Sequence, residues 1–165
     1  MLTEGSKVRA AALGREALEW LREADLSPPA YARLAERIAD VAGRAGDAST
    51  IAAVRRLIAS EDGGRNLRSY SLALLTIDAF AAFARGDMRT TLSLVQRTSG
   101  PMFYGRATSL TMLLRADASA ALGDRTAADS LYRVLADPSS PVIDGDNETF
   151  EVVRRAAARA LATHR

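Results

Sequence analysis

The sequence predicts an all-α protein built as about three antiparallel helical hairpins with a further helix at either end. Three observations carry that prediction. Apolar residues recur at helical spacing almost from end to end, and no stretch shows the alternation or β-branched enrichment of a strand. A Gly-Asp pair stands at Gly46-Asp47, Gly86-Asp87 and Gly123-Asp124, in steps of 40 and 37 residues. A period in that range, with a helix on either side of a fixed turn, marks stacked helical hairpins. Around each of these glycines the flanking residues recur too: Ala39, Ala79 and Ala116 lie seven before it, and Val54, Leu94 and Leu131 eight after. The small residue lets two helices approach, and the apolar one fills the space beside it.

The elements follow in order within a single domain, 1–165. A leading segment, 1–27, carries a helix over 6–25. Its Trp20 is expected to pack in the core or to cap the first hairpin. Ser27-Pro28-Pro29 then offers a helix cap followed by a ring that presets the helical φ. The first hairpin, 29–62, pairs helices 29–45 and 48–60. The second, 66–100, pairs 66–85 and 88–98, and the third, 105–138, pairs 105–122 and 125–136. In each Gly-Asp turn the Gly takes the left-handed conformation that ends one helix, and the Asp caps the amides of the next. So short a connection makes the two helices antiparallel. Pro101 and Pro138 sit where a helix must stop. The segment Pro101-Met-Phe-Tyr-Gly-Arg106 is better explained by packing between hairpins than by a contact patch. The final helix, 147–163 in a capping segment 146–163, turns Phe150, Val153, Ala157 and Leu161 inward and Arg154, Arg155 and Arg159 mostly outward, the polar outer face that a terminal unit needs.

Composition removes several chemistries. The chain has no cysteine, which excludes disulfides and thiolate metal sites. Its 22 basic residues nearly balance 20 acidic ones, a mixed solvated surface and not a polyanion-binding stripe. Every basic residue but Lys7 is Arg and about a fifth of the chain is Ala, a bias of the kind a GC-rich bacterial genome imposes. The apolar run Ser71 to Ala84 is too short to span a bilayer and contains Asp78, so it reads as a buried helix. Without the basic-then-apolar order of a secretory signal at the N-terminus, a cytoplasmic chain is expected. The half-hairpin at the start suggests excision from a longer array.

Catalytic motifs are equally scarce. The single His164 adjoins the C-terminal residue, and Gly63-Gly64-Arg65-Asn66 lacks the preceding strand and following Lys-Ser or Lys-Thr of a phosphate loop. The acidic cluster Asp144, Asp146, Asn147, Glu148 and Glu151 does not follow the order of a calcium loop and reads as a turn entering an acidic first helical turn. No cofactor or metal is expected. An enzyme would need carboxylates such as Asp40, Asp78 and Asp117 to converge in one pocket.

The stretch Ala116 to Pro138, with Ala116 and Ala128 as the small residues of its two helices, Tyr132 as an aromatic and Gly123-Asp124 as its turn, resembles the tetratricopeptide repeat. The resemblance covers roughly residues 30–138. It departs from the family where Ile38, Asp78 and Arg115 stand eight before the Gly and Ala42, Ala82 and Ser119 four before. The tail Phe150 to Leu161 is similar to the first helix of a HEAT-type repeat, the structural rival. Either resemblance implies an α-solenoid, right-handed for the tetratricopeptide class, and a concave face lined by the first helix of each pair. Positions carried over on the Gly make Arg33, Glu36 and Asp40; Ala73, Thr76 and Phe80; Leu110, Leu113 and Asp117 the groove candidates. Their acidic and apolar character favours an apolar or basic segment over an acidic C-terminal tail. The expected function is thus a non-catalytic protein-interaction scaffold or regulatory module, with a nucleic-acid-binding helical repeat as the alternative that the balanced charge disfavours.

Overall fold

A computed structural model of the chain describes residues 4–65, 67–98, 109–139 and 147–163, with side chains of the last segment described from Glu151. These residues form eight helices: α1 (Glu4–Glu23), α2 (Pro28–Ala45), α3 (Ala48–Asp62), α4 (Arg68–Ala84), α5 (Met88–Thr98), α6 (Ser109–Ala121), α7 (Arg125–Ala136) and α8 (Asn147–Thr163). No strand occurs among the described residues. The helix order and most boundaries match the sequence reading to within two or three residues; the expected start of the sixth helix, 105–108, lies outside the described residues. His164, the Pro101–Arg106 segment and Asp144 and Asp146 lie outside them as well.

The chain divides into two compact units, Met1–Asp87 and Met88–Arg165. The boundary falls at the Gly86-Asp87 turn, inside the segment 66–100 that the sequence reads as one hairpin.

All three Gly-Asp turns are built alike. Gly46, Gly86 and Gly123 have φ of 77°, 78° and 85°, left-handed backbone that costs glycine least. Each Gly donates its N–H to the carbonyl three residues back, at 3.2, 2.9 and 3.0 Å. The Asp N–H that follows reaches the carbonyl five back, those of Ala42, Ala82 and Ser119, at 2.9, 3.0 and 3.0 Å. This pair of bonds is the Schellman arrangement, which satisfies carbonyls that the helix end leaves over. Asp47 then caps α3 by accepting from Thr50 N–H, and Asp124 caps α7 by accepting from Ala127 N–H.

In the first unit α2 packs against α1, α3 and α4, and α3 packs on α4. Gly14, Leu18 and Leu21 form the buried stripe of α1. The seam is fine-grained because its residues are small: Ala35, Ala39 and Ala42 of α2 and Ala73, Ala79 and Ala82 of α4 are fully buried. Ile51, Val54 and Ile58 of α3, with Ile77 and Phe80 of α4, supply the bulk. Each such large side chain contributes about 1.5–3 kcal/mol on burial.

The second unit packs α6 against α5, α7 and α8, and α7 against α8. Leu113, Leu114, Ala116 and Ala118 of α6, Ala128, Tyr132 and Leu135 of α7, and Val153 and Ala157 of α8 are buried in this unit. Arg155 and Arg159 point to solvent as expected, whereas Arg154 is half-buried and paired with Glu151. Leu161 is only partly buried, and the side chain of Phe150 lies outside the described residues. No described helix is long and apolar enough to cross a membrane.

Two local expectations are corrected. Trp20 is 58% exposed, neither core nor cap, because it lies two residues beyond Leu18, about 200° around a helix whose buried stripe holds Leu18 and Leu21. Ser27 occupies the N-cap position of α2 but makes no side-chain capping bond. Pro28 and Pro29 have no N–H to offer it, and the Ala30 N–H is taken by the Ser27 carbonyl at 2.9 Å.

Candidate partner-binding face

The line along which α2 meets α4 carries the candidate site. Three contacts mark it from the N-terminal ends onward. The rings of Tyr31 and Tyr70 meet edge to face with centroids 6.2 Å apart. Burial first, then the charge of Glu61 and the neighbouring Tyr70, push the Tyr31 phenol up to about 12. A turn further on, the Thr76 hydroxyl of α4 donates to the carboxylate of Glu36 on α2, and Arg33 places its positive charge nearby. At the C-terminal end Gly43 lies against Phe80.

Glu36 is the electrostatic centre of this line. Burial raises its carboxyl from 4.5 to about 7, against the opposing effects of the Thr76 hydrogen bond and the Arg33 charge. A carboxylic acid so placed changes protonation near neutrality and can accept or donate a hydrogen bond. One turn on, Asp40 accepts from Arg44 Nε at 2.6 Å, with both side chains partly buried.

The candidate residues divide into three kinds. Arg33 is exposed, and Glu36, Asp40 and Asp117 are partly so, which makes these four the solvent-accessible portion of the set. Thr76 and Phe80 are buried in the first unit, as is Ala73. A helix as apolar as α4 turns these residues into its own packing surface, so they support the face without forming it. Leu110 and Leu113 are likewise buried in the second unit, and Asp117 accepts a hydrogen bond of 2.7 Å from the Tyr132 hydroxyl. Asp40, Asp78 and Asp117 each have a local partner: Asp40 has Arg44, Asp117 has Tyr132, and Asp78 of α4 accepts from Arg55 of α3 at 2.6 Å.

Sequence reasoning did not single out Tyr31, Tyr70 or the tie between Arg15 and Asp47, whose atoms are 3.1 Å apart. The Tyr pair had a signal, since the two residues are 39 apart, close to the 40-residue step between the first two turns. The Arg15 contact had none, because it depends on how α1 lies across the first hairpin. Among the described residues no group of three or more His, Cys, Asp or Glu is placed to hold a metal ion. Comparisons of the chain with protein-family models, with curated proteins and with solved structures found no match.

Proposed function

We propose that this chain is a non-catalytic protein-interaction scaffold or regulatory module, built as a right-handed tetratricopeptide-like solenoid, that takes a peptide or partner segment on the α2 face bearing Arg33, Glu36 and Asp40. One observation carries the reading. Glu36 and Thr76 each lie ten residues before the Gly of successive turns, and they are hydrogen-bonded to one another. Equivalent positions of successive units meet in this way when hairpins stack side by side with a small displacement per unit, the packing that gives repeat arrays their extended binding faces. The acidic and apolar character of the candidate positions suits a basic or apolar segment better than an acidic tail.

The test is retention of proteins from source lysate on the immobilised chain at physiological salt, with and without nuclease, beside a column bearing Arg33→Glu. A protein retained by the parent chain whether or not nuclease is present, and retained differently by R33E, supports the reading. Retention that nuclease abolishes points to nucleic acid, whose phosphate contacts would also make binding fall steeply with salt. Identical retention on both columns removes the α2 face from the account.

A further inference from the structure

The largest exposed aromatic of the chain and an apolar notch elsewhere on its surface are complementary in shape and charge. On α1, Leu13 and Trp20 are 56% and 58% exposed and stand seven residues apart, so they project from the same side of the helix, opposite the buried Leu18 and Leu21. Trp is costly to leave in water and is enriched at the centres of protein interfaces. Exposed carboxylates surround it: Glu16, Glu19 and Glu23, of which Glu19 is held by Arg22 at 2.7 Å. Over residues 16–25 four acidic side chains, Glu16, Glu19, Glu23 and Asp25, face one Arg.

In the second unit α7 and α8 leave a surface cavity of about 450 Å³ lined by Ala136, Ala158, Leu161 and Ala162. Three of its four lining residues are alanine. Its rim on α8 is basic. Arg154, Arg155 and Arg159 lie within a turn or so of the cavity, and the first two share a single carboxylate, Glu151, at 2.7 and 2.9 Å. With the exposed Arg133 and Asp137 beside Ala136 on α7, four guanidinium groups stand against two carboxylates and leave the rim positive, where the surroundings of Trp20 are negative.

We infer that Trp20 of one copy of this chain seats in the Ala136, Ala158, Leu161 and Ala162 notch of a second copy, with Glu16 and Glu23 facing Arg155 and Arg159. The contact joins two different surfaces, so it is heterologous. Each bound copy still offers a free Trp20 or a free notch, and growth continues head to tail unless the rotation closes a ring. The apolar plug supplies the affinity, and the charges set the orientation and make assembly weaken with salt without abolishing it.

The chain contains one tryptophan, so its emission reports the surroundings of Trp20. Two full-length variants test the inference. Trp20→Ser removes the plug and leaves the notch; Ala158→Glu with Ala162→Glu blocks the notch and leaves the plug. All three substituted residues are exposed, and circular dichroism checks that the helices remain. The wild-type chain is expected to associate as concentration rises, with its emission moving to shorter wavelength. Each variant alone sediments as a monomer. Their equimolar mixture forms a one-to-one dimer, and the Trp20 of the notch-blocked chain shifts its emission there. Arg155→Glu with Arg159→Glu weakens association of the wild type, and Glu16→Arg with Glu23→Arg in the partner chain restores it. Association of the notch-blocked variant by itself would show Trp20 pairing with something other than the notch and overturn the inference. A wild-type chain that stays monomeric at every concentration would overturn it equally, whether its Trp20 emission is that of an exposed ring or of one buried by its own chain.

Discussion

Gly43 of α2 and Phe80 of α4 meet so closely that a Cβ on the glycine would stand 3.3 Å from both the Cβ and the Cδ1 of the phenylalanine and 3.4 Å from its carbonyl oxygen. Phe80 is fully buried, and the backbone of its own helix is among the atoms met, so it has little freedom to retreat. Gly43→Ala therefore forces the two helices apart. A loss of about 1–3 kcal/mol is expected, the usual cost of overpacking, read as a lower midpoint in urea unfolding. Pairing it with Phe80→Ala should make the two losses less than additive, because the second substitution removes Cδ1, one of the three obstructing atoms, and opens space into which the helices can settle.

Gly14 of α1 is expected to behave in the opposite way. A Cβ there would meet Thr50, Ala42 and Val41 at 3.8 to 3.9 Å, ordinary contact distances. Gly14→Ala fills available space and relieves the helix of a residue that weakens it, so stability rises by roughly 0.5–1 kcal/mol. A fall in melting temperature would mean that α1 packs more tightly than these distances require.

Glu36 gives the first unit a pH dependence of known sign. Its carboxyl is raised from 4.5 to about 7, so the folded chain holds this proton more firmly than the unfolded chain does. Stability from this group is complete below about pH 4.5 and is lost as pH rises through about 7, because ionisation then leaves a desolvated charge in the seam. The full span corresponds to about 3 kcal/mol, at 1.36 kcal/mol per unit. Glu36→Gln should stabilise the protein at pH 8, by up to that amount, and flatten the unfolding midpoint between pH 5 and 8 to the extent that other groups allow, in roughly the window the carboxyl titrates.

The first and third turns use the same Asp for different amounts of structure. The carboxylate of Asp47 accepts from Thr50 N–H at 3.1 Å, from the Thr50 and Ser49 hydroxyls at 2.9 and 2.6 Å, and from Arg15 of α1 at 3.1 Å. Burial alone would raise its carboxyl, but the hydrogen bonds and the Arg15 charge outweigh that and lower it. Its contribution is therefore present at neutral pH and fades as acid protonates it. Asp47→Ala should cost about 1–2 kcal/mol at pH 7, and Asp124→Ala, which removes the cap on Ala127 N–H, about 1 kcal/mol or less. Urea titrations of the two variants at pH 7 and pH 3 check both the order and its narrowing in acid.

The turns were legible in the sequence because their chemistry is local. Whether Gly46 can take a φ of 77° and whether Asp47 can reach Thr50 N–H depend on neighbours within a few residues. The orientation of side chains on the helices was less legible. Phe80 occupies a position that the repeat resemblance assigns to an open groove, yet it lies inside the seam, since the residue opposite it is a glycine that lets α2 come close. Trp20, expected in the core or as a cap, is turned outward by the phase that Leu18 and Leu21 set. Asp78, a charged residue in the apolar run of α4, is accommodated by the Arg55 guanidinium across the α3–α4 pair. Such pairings depend on which helices become neighbours, and the sequence alone does not fix that choice.

The Gly46-Asp47 turn is more than a connection: through Asp47 it ties Arg15 of α1 to the start of α3 at the point where α2 ends. A break in the chain there would release three helices from a common anchor. At Gly123-Asp124, where Leu122 through Arg125 are exposed, new termini or an inserted peptide would disturb the end of α6 and the start of α7 but no third helix. Of these two similar turns, the one at 123–124 is the place to open the chain.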